Sequence, residues 1–229
     1  PITINADQPA KFIDPATGEP TDATELPAMK DGKQVGTYTI DPTTGEVTFK
    51  PNKDFVGTPD GISVQAKDAN GTPVTAKYTP TVTPVTPTAE DVESTGKQGQ
   101  EQKQTPKFTE GDSDVPMKID AEQPAKFIDP ATGEPTDATE LPAMKDGKQV
   151  GTYTIDPTTG EVTFKPNKDF VGTPDGISVQ AKDANGTPVT AKYTPTVTPV
   201  TPTAEDVEST GKQGQEQKQT PKFTEGDPV

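Results

Sequence analysis

Residues 34–50 read Gln34-Val35-Gly36-Thr37-Tyr38-Thr39-Ile40-Asp41-Pro42-Thr43-Thr44-Gly45-Glu46-Val47-Thr48-Phe49-Lys50. Apolar and threonine positions alternate on both sides of Asp-Pro-Thr-Thr-Gly, the pattern of two strands joined by a turn. Proline presets φ near the first turn position, and Gly45 supplies the positive φ that a bulged loop demands. Tyr38, Ile40, Val47 and Phe49 are therefore predicted to share one buried face.

Working outward, Pro51-Asn52-Lys53-Asp54-Phe55-Val56-Gly57-Thr58 is predicted to be a loop whose one large residue, Phe55, plugs an end of the core. Ile62, Val64 and Ala66 then alternate with Ser63, Gln65 and Lys67, and Val74, Ala76 and Tyr78 return on the inner face after Asp68-Ala69-Asn70-Gly71. The Asn-Gly pair predicts a type I′ turn there. Glu25-Leu26-Pro27-Ala28-Met29 starts like a cell-wall sorting signal but lacks its Thr-Gly, and is read as loop; Asp22 to Leu26 has room for one short turn at most. No segment carries helical periodicity beyond two turns, so the chain is predicted to be all-β.

Residues 8–112 recur without a change as residues 123–227, and the preceding residues 1–7 align with 116–122 with some drift. Tandem copies supply what scales with copy number, such as length, avidity or elasticity. We expect two small β-sandwich-like units cut from a longer protein. Unit 1 is placed at 1–112, with its core at about 1–83, an extended segment at 84–95 and a polar segment at 96–112. Residues 113–115 form a junction. Unit 2 is placed at 116–227, with core, extended and polar segments at about 116–198, 199–210 and 211–227.

Thr79 to Thr88 reads Thr-Pro-Thr-Val-Thr-Pro-Val-Thr-Pro-Thr. Proline at this density withholds ladder donors and favours an extended, semi-rigid spacer of about 3.1 Å per residue. Gly96 to Gln104 is rich in Gly, Gln, Lys and Glu, yet it leads to a lone aromatic in Thr105-Pro106-Lys107-Phe108, which suggests docking. Packing on the unit before or the unit after are both open, and the register of the chain ends favours the unit before.

Only 27% of residues are hydrophobic and 5% aromatic, with no Trp, so each core rests on Phe12, Tyr38, Phe49, Phe55 and Tyr78 with a few Ile and Val. Marginal stability per unit is expected. A net charge of -15 argues against nucleic-acid or anionic-membrane partners, which need clustered Lys and Arg. There is no Cys to form a disulfide, and no apolar run approaches the roughly 20 residues that span a bilayer. Any export signal or anchor is expected outside these residues.

The run from Gly36 to Asp41, Thr44 to Phe49, Pro51 to Thr58 and Lys67 to Thr72 resembles the CshA-type fibril repeat of long, wall-anchored fibrillar adhesins of streptococci and related Gram-positive bacteria. Tyr78 to Val82, Ser94 to Gly99 and Pro106 to Asp112 look like the same family, so the resemblance covers nearly the whole unit. The central motif is also similar to Ig-like repeats of other giant bacterial adhesins. The resemblance implies an all-β stalk repeat, monomeric and extracellular, whose partners are neighbouring repeats and, through regions elsewhere, a host or microbial surface. It carries no catalytic residues.

The chain contains no His or Cys, so the usual nucleophile-base pairs and soft-metal sites are excluded. Carboxylates are plentiful but scattered over turns, without an apolar pocket to raise one pKa. No catalytic residue or cofactor is predicted. Asp68 with Asn70, and Asp183 with Asn185, offer oxygen ligands to Ca²⁺, yet the spacing lacks the further carboxylates of a loop site and a turn explains the residues. Asn70-Gly71-Thr72 matches a glycosylation acceptor that turn geometry also explains. Lys11, flanked by Ala10 and Phe12, has the apolar neighbours of an isopeptide donor, against the alternative of a solvent-facing Lys whose stem lies along the sheet. The leading reading is a non-enzymatic stalk; the alternative is a repeated binding module that touches host protein or glycan weakly and sums its contacts by avidity.

Overall fold

The computed structural model describes residues 1–226. Among these every regular element is a strand. The chain divides into two compact units, residues 1–85 and the rest from Thr86 onward.

Unit 1 holds β1 (Ile2–Thr3), β2 (Lys11–Ile13), β3 (Pro20–Thr21), β4 (Glu25–Lys30), β5 (Lys33–Ile40), β6 (Val47–Pro51), β7 (Ile62–Asp68) and β8 (Pro73–Tyr78). One sheet centres on β7, flanked by β8 on one side and by β1 and β2 on the other, with β3 beyond β2; the second is β4-β5-β6. Ala10, Phe12 and Ile62 from the first sheet meet Ala28, Tyr38 and Ile40 from the second in one buried cluster. The period-2 alternation puts them there: Tyr38 opposes Phe49 across the β5-β6 ladder, with ring centroids 5.3 Å apart. The loop between them closes as its residues dictate, with Gly45 at φ 80° and Asp41 accepting the backbone bonds of Thr43 and Gly45.

Glu25 to Met29 is strand, not loop. It forms β4, paired antiparallel with β5 from Glu25↔Thr39 to Lys30↔Lys33, with a bulge between Ala28 and Met29. Pro27 fits because β4 is an edge strand and its missing donor faces outward. The turn that makes this hairpin is Asp31-Gly32, where Asp31 has φ 50° and Gly32 φ 79°, both left-handed as a type I′ turn requires. At Asp68-Ala69-Asn70-Gly71 only Gly71 has positive φ, 82°, so this loop is not type I′. The Asp68 carboxylate explains the difference: its Oδ1 accepts from the amides of Asn70 and Thr72, each at 2.9 Å, which holds Asn70 out of the left-handed region.

Gly36 is a packing requirement. A Cβ at this position would lie 2.5 Å from the Lys50 carbonyl oxygen and 2.8 Å from the Phe49 ring, so β5 and β6 approach only with glycine there. Gly36→Ala is expected to destabilise unit 1 by about 1–3 kcal/mol, read as a fall in the denaturation midpoint.

Unit 2 opens with the segment that follows Val85: β9 (Thr88–Glu90), β10 (Val92–Lys97), β11 (Gln102–Gln104) and β12 (Lys107–Thr109). The second copy follows as β13 (Met117–Lys118), β14 (Lys126–Ile128), β15 (Pro135–Thr136), β16 (Glu140–Lys145), β17 (Lys148–Ile155), β18 (Val162–Pro166), β19 (Ile177–Asp183) and β20 (Pro188–Thr198), with β21 (Thr203–Glu205) and β22 (Lys222–Thr224) at its end. Its two sheets repeat those of unit 1, with one strand added to each. β10 extends one sheet by parallel pairing with β20, and β11 extends the other by antiparallel pairing with β18.

The polar segment therefore packs on the unit that follows it, against the expectation that it docks backward, and the compact division falls after Val85 rather than after residue 112. The Pro/Thr run is not a free spacer in unit 2. Tyr193 to Thr198 is laddered against Val92 to Lys97, and Pro195 is accommodated because β19 pairs only as far as Tyr193.

Candidate functional site: a strand-docking face

The face that receives β10 and β11 is made by the outer edges of β18 and β20. Backbone pairing fixes the register, from Val92↔Tyr193 to Lys97↔Thr198 and from Gln102↔Phe164 to Gln104↔Val162. Side chains lock it: Ser94 Oγ lies 2.5 Å from the Tyr193 hydroxyl, Gln102 Nε2 donates to the Thr196 carbonyl at 3.0 Å, and Gln98 Nε2 donates to the Lys168 carbonyl at 3.0 Å. The Asp91 carboxylate accepts from the Lys192 amide at 2.8 Å. Gln102 is buried, and Gly96 beside it leaves room for its side chain, since a Cβ there would meet it at 2.8 Å. These glutamines look like disorder-prone composition in the sequence; in the fold Gln102 satisfies a carbonyl of β20 and Gln98 one in the loop after β18.

Covering this face completes the core. In unit 2 the six-residue cluster of unit 1 has its counterparts and is joined by Val162, Phe164, Val179, Tyr193 and Val197, with Val92 and Phe108 packed against it. The same residues in unit 1, Val47, Phe49, Val64, Tyr78 and Val82, are only partly buried or exposed. Tyr78 is 39% exposed and Tyr193 0%. Two identical sequences thus differ in burial where β10 to β12 lie over one of them.

The tyrosines carry a pH signature. Tyr153 donates its hydroxyl to the Asp175 carbonyl at 2.7 Å, and burial, then the charge environment of Tyr193 and Asp175, pushes its phenol well above the usual range. Burial also raises Tyr193, partly offset by its bond to Ser94. An unfolded phenol ionises near pH 10, so the stability these neutral phenols contribute is full below that value and is lost as pH rises above it towards the folded-state pKa. Alkaline titration is expected to unfold unit 2 together with the ionisation of Tyr153 and Tyr193, not after it.

Asp68 and Asn70 sit in the β7-β8 loop, and Asp183 and Asn185 in the β19-β20 loop, with Asp183 Oδ1 accepting from the Asn185 and Thr187 amides. Asp183 is fully buried and its Oδ2 has no hydrogen-bond partner. Among the described residues no group of three or more His, Cys, Asp or Glu is placed to hold a metal ion. Lys11 Nζ lies 2.8 Å from Asp22 Oδ1, and the Asp22 side chain is 90% exposed. The Lys11 hydrogen bond and charge hold the Asp22 carboxyl below its usual range. Amide condensation needs a desolvated pair, and this one faces water, so an intact mass equal to that of the sequence, without loss of water or ammonia, is expected.

The model of the surface adhesin CshA repetitive domain matches residues 1–82 and 84–197. The chain belongs to this family. The second matched stretch begins at 84, so it takes in the connecting segment together with the core that follows it. No curated protein matches the chain. Among solved structures it is similar to a PcdhgB3 EC1-4 fragment, at 12% identity and TM-score 0.33, covering 86% of this chain and 48% of that one. It is also similar to the N-terminal eight Ig domains of Down Syndrome Cell Adhesion Molecule, at 12% identity and TM-score 0.33, covering 97% and 28%, and to murine CEACAM1b, at 12% and 0.24, covering 87% and 88%. The chain spans about half or less of the first two. The CshA repeat family marks the chain as a surface adhesin repeat.

Proposed function

We propose that this chain is a stalk segment of a bacterial fibrillar adhesin, acting through length and stiffness to hold an adhesive region away from a Gram-positive cell wall, without catalysis. The observation that carries this reading is that the segment between the two copies is built into the sheets of the second. A connection held by two ladders and a buried glutamine resists bending and extension better than a flexible linker, whose reach fluctuates with its length. Net negative charge in each copy adds sideways repulsion within roughly 8 Å at physiological salt.

The test is adhesion of cells in which the repeat array is exchanged for an unrelated rigid β-sandwich array of equal contour length, with tip and anchor retained. Retained adhesion is expected. Lost adhesion, with the tip still open to antibody, would show instead that the repeats themselves bind the target.

A further inference from the structure

The chain enters and leaves the core of unit 2 on neighbouring strands. Tension between Thr86 and Thr201 reaches the sheet through β10 on one side and β20 on the other, and these two strands pair with each other over six residues, from Val92↔Tyr193 to Lys97↔Thr198. The pairing is parallel. Tension along the chain therefore draws β10 toward its N-terminal end and β20 toward its C-terminal end, in opposite directions along one ladder. Bonds loaded in this way share the force and fail together, because sliding by a single residue breaks the register of the whole pair. Had the same strands been antiparallel, the two loaded ends would lie side by side and the bonds would open one at a time.

Both ends of this ladder are fastened. Where β10 takes the load, the Asp91 carboxylate accepts from the Lys192 amide at 2.8 Å. Where β20 takes it, the Gln98 amide donates to the Thr198 carbonyl at 2.8 Å, the Val200 amide donates to Gln98 Oε1 at 3.3 Å, and Thr198 Oγ1 donates to the Gly96 carbonyl at 3.2 Å. Between these ends the Ser94 and Tyr193 hydroxyls meet, and Gln102 Nε2 donates to the Thr196 carbonyl. On its other edge β20 parts from β19 at Tyr193. Beyond that point this edge keeps the backbone bonds between Val197 and Gly172 and the hydroxyl pair Thr196 and Thr173. The loaded half of β20 is thus held chiefly by β10.

We propose that the β10-β20 ladder is a force-bearing clamp, which makes unit 2 resist tension along the chain more strongly than a pull that parts the same strands from one end. The clamp lies wholly within residues 91–200 and is a property of the folded unit. Only its use in an array under load rests on the stalk reading.

The test is single-molecule pulling on the intact chain, in which the lack of Cys lets thiol handles be placed in chosen pairs. Handles at Thr86→Cys and Thr201→Cys shear the ladder. Handles at Glu101→Cys and Thr201→Cys peel it from the Lys97↔Thr198 end. All three positions are exposed. Forced unfolding reads the barrier to rupture and not the equilibrium stability, so two pulls on one fold separate direction from stability. Unit 2 is expected to open at a force at least about twofold higher in shear than in peeling, since six pairs share the load in the first and one pair at a time carries it in the second. Asp91→Ala is expected to lower the shear force and to leave the peeling force unchanged, because peeling starts at the end far from Asp91. Equal forces in the two directions overturn the proposal. An Asp91→Ala variant that weakens both directions by the same factor also overturns it, because rupture would then follow stability and not direction. Either failure leaves the stalk reading standing, since exchange of the array in cells measures adhesion and not rupture.

Discussion

Calorimetry of the intact chain at low concentration is expected to show two unfolding transitions, although residues 8–85 of unit 1 recur unchanged as 123–200 of unit 2. The lower belongs to unit 1. Val47, Phe49, Val64, Tyr78 and Val82 stay partly exposed there, while Val162, Phe164, Val179, Tyr193 and Val197 are fully buried in unit 2. Completing the burial of five such side chains, after the ordering of the docked segment, is worth about 3 kcal/mol. For domains of this size that separates the midpoints by about 15 °C. One transition with the heat of both units would contradict it.

The second large effect compares one substitution at two equivalent positions. Phe108 packs against the core of unit 2, and Phe223, in the same sequence context, stands 75% exposed. Phe108→Ala removes a ring from a packed interface and is expected to lower the upper transition by about 2 kcal/mol. Phe223→Ala at low concentration is expected to leave both transitions within about 0.5 kcal/mol of the original, as exposed positions do. Equal losses from the two substitutions would mean that both segments are docked. Equal tolerance would mean that Phe108 contributes nothing to the unit it touches.

The strands that alternate strictly were legible in the sequence, because alternation and turn chemistry are local. The hairpin around Asp41 to Gly45 and the inner face of Ile62 and Val64 follow from period 2 and two turns. Glu25 to Lys30 was obscured by Pro27 and by its likeness to a sorting signal, although Asp31-Gly32 is a hairpin turn signal in plain view. At Asn70 the dipeptide signal misled because the Asp68 carboxylate claims the loop amides first. The direction in which residues 86–112 dock was not legible at all. The flanking units are nearly identical, so composition and periodicity offer the same partner on either side. Val92 to Lys97 also has one apolar side chain, and its strand character comes from the edge of β20.

The claim on which the account turns is that the connecting segment completes the unit after it. Its most direct test is the melting midpoint of three fragments at low concentration: residues 116–200, residues 86–200 and residues 116–227. The second adds residues 86–115 before the unit, and the third adds 201–227, identical to 86–112, after it. The account predicts that 86–200 melts well above 116–200 and that 116–227 does not. A rise in 116–227 with none in 86–200 would contradict it, and would mean that each segment seals the unit it follows.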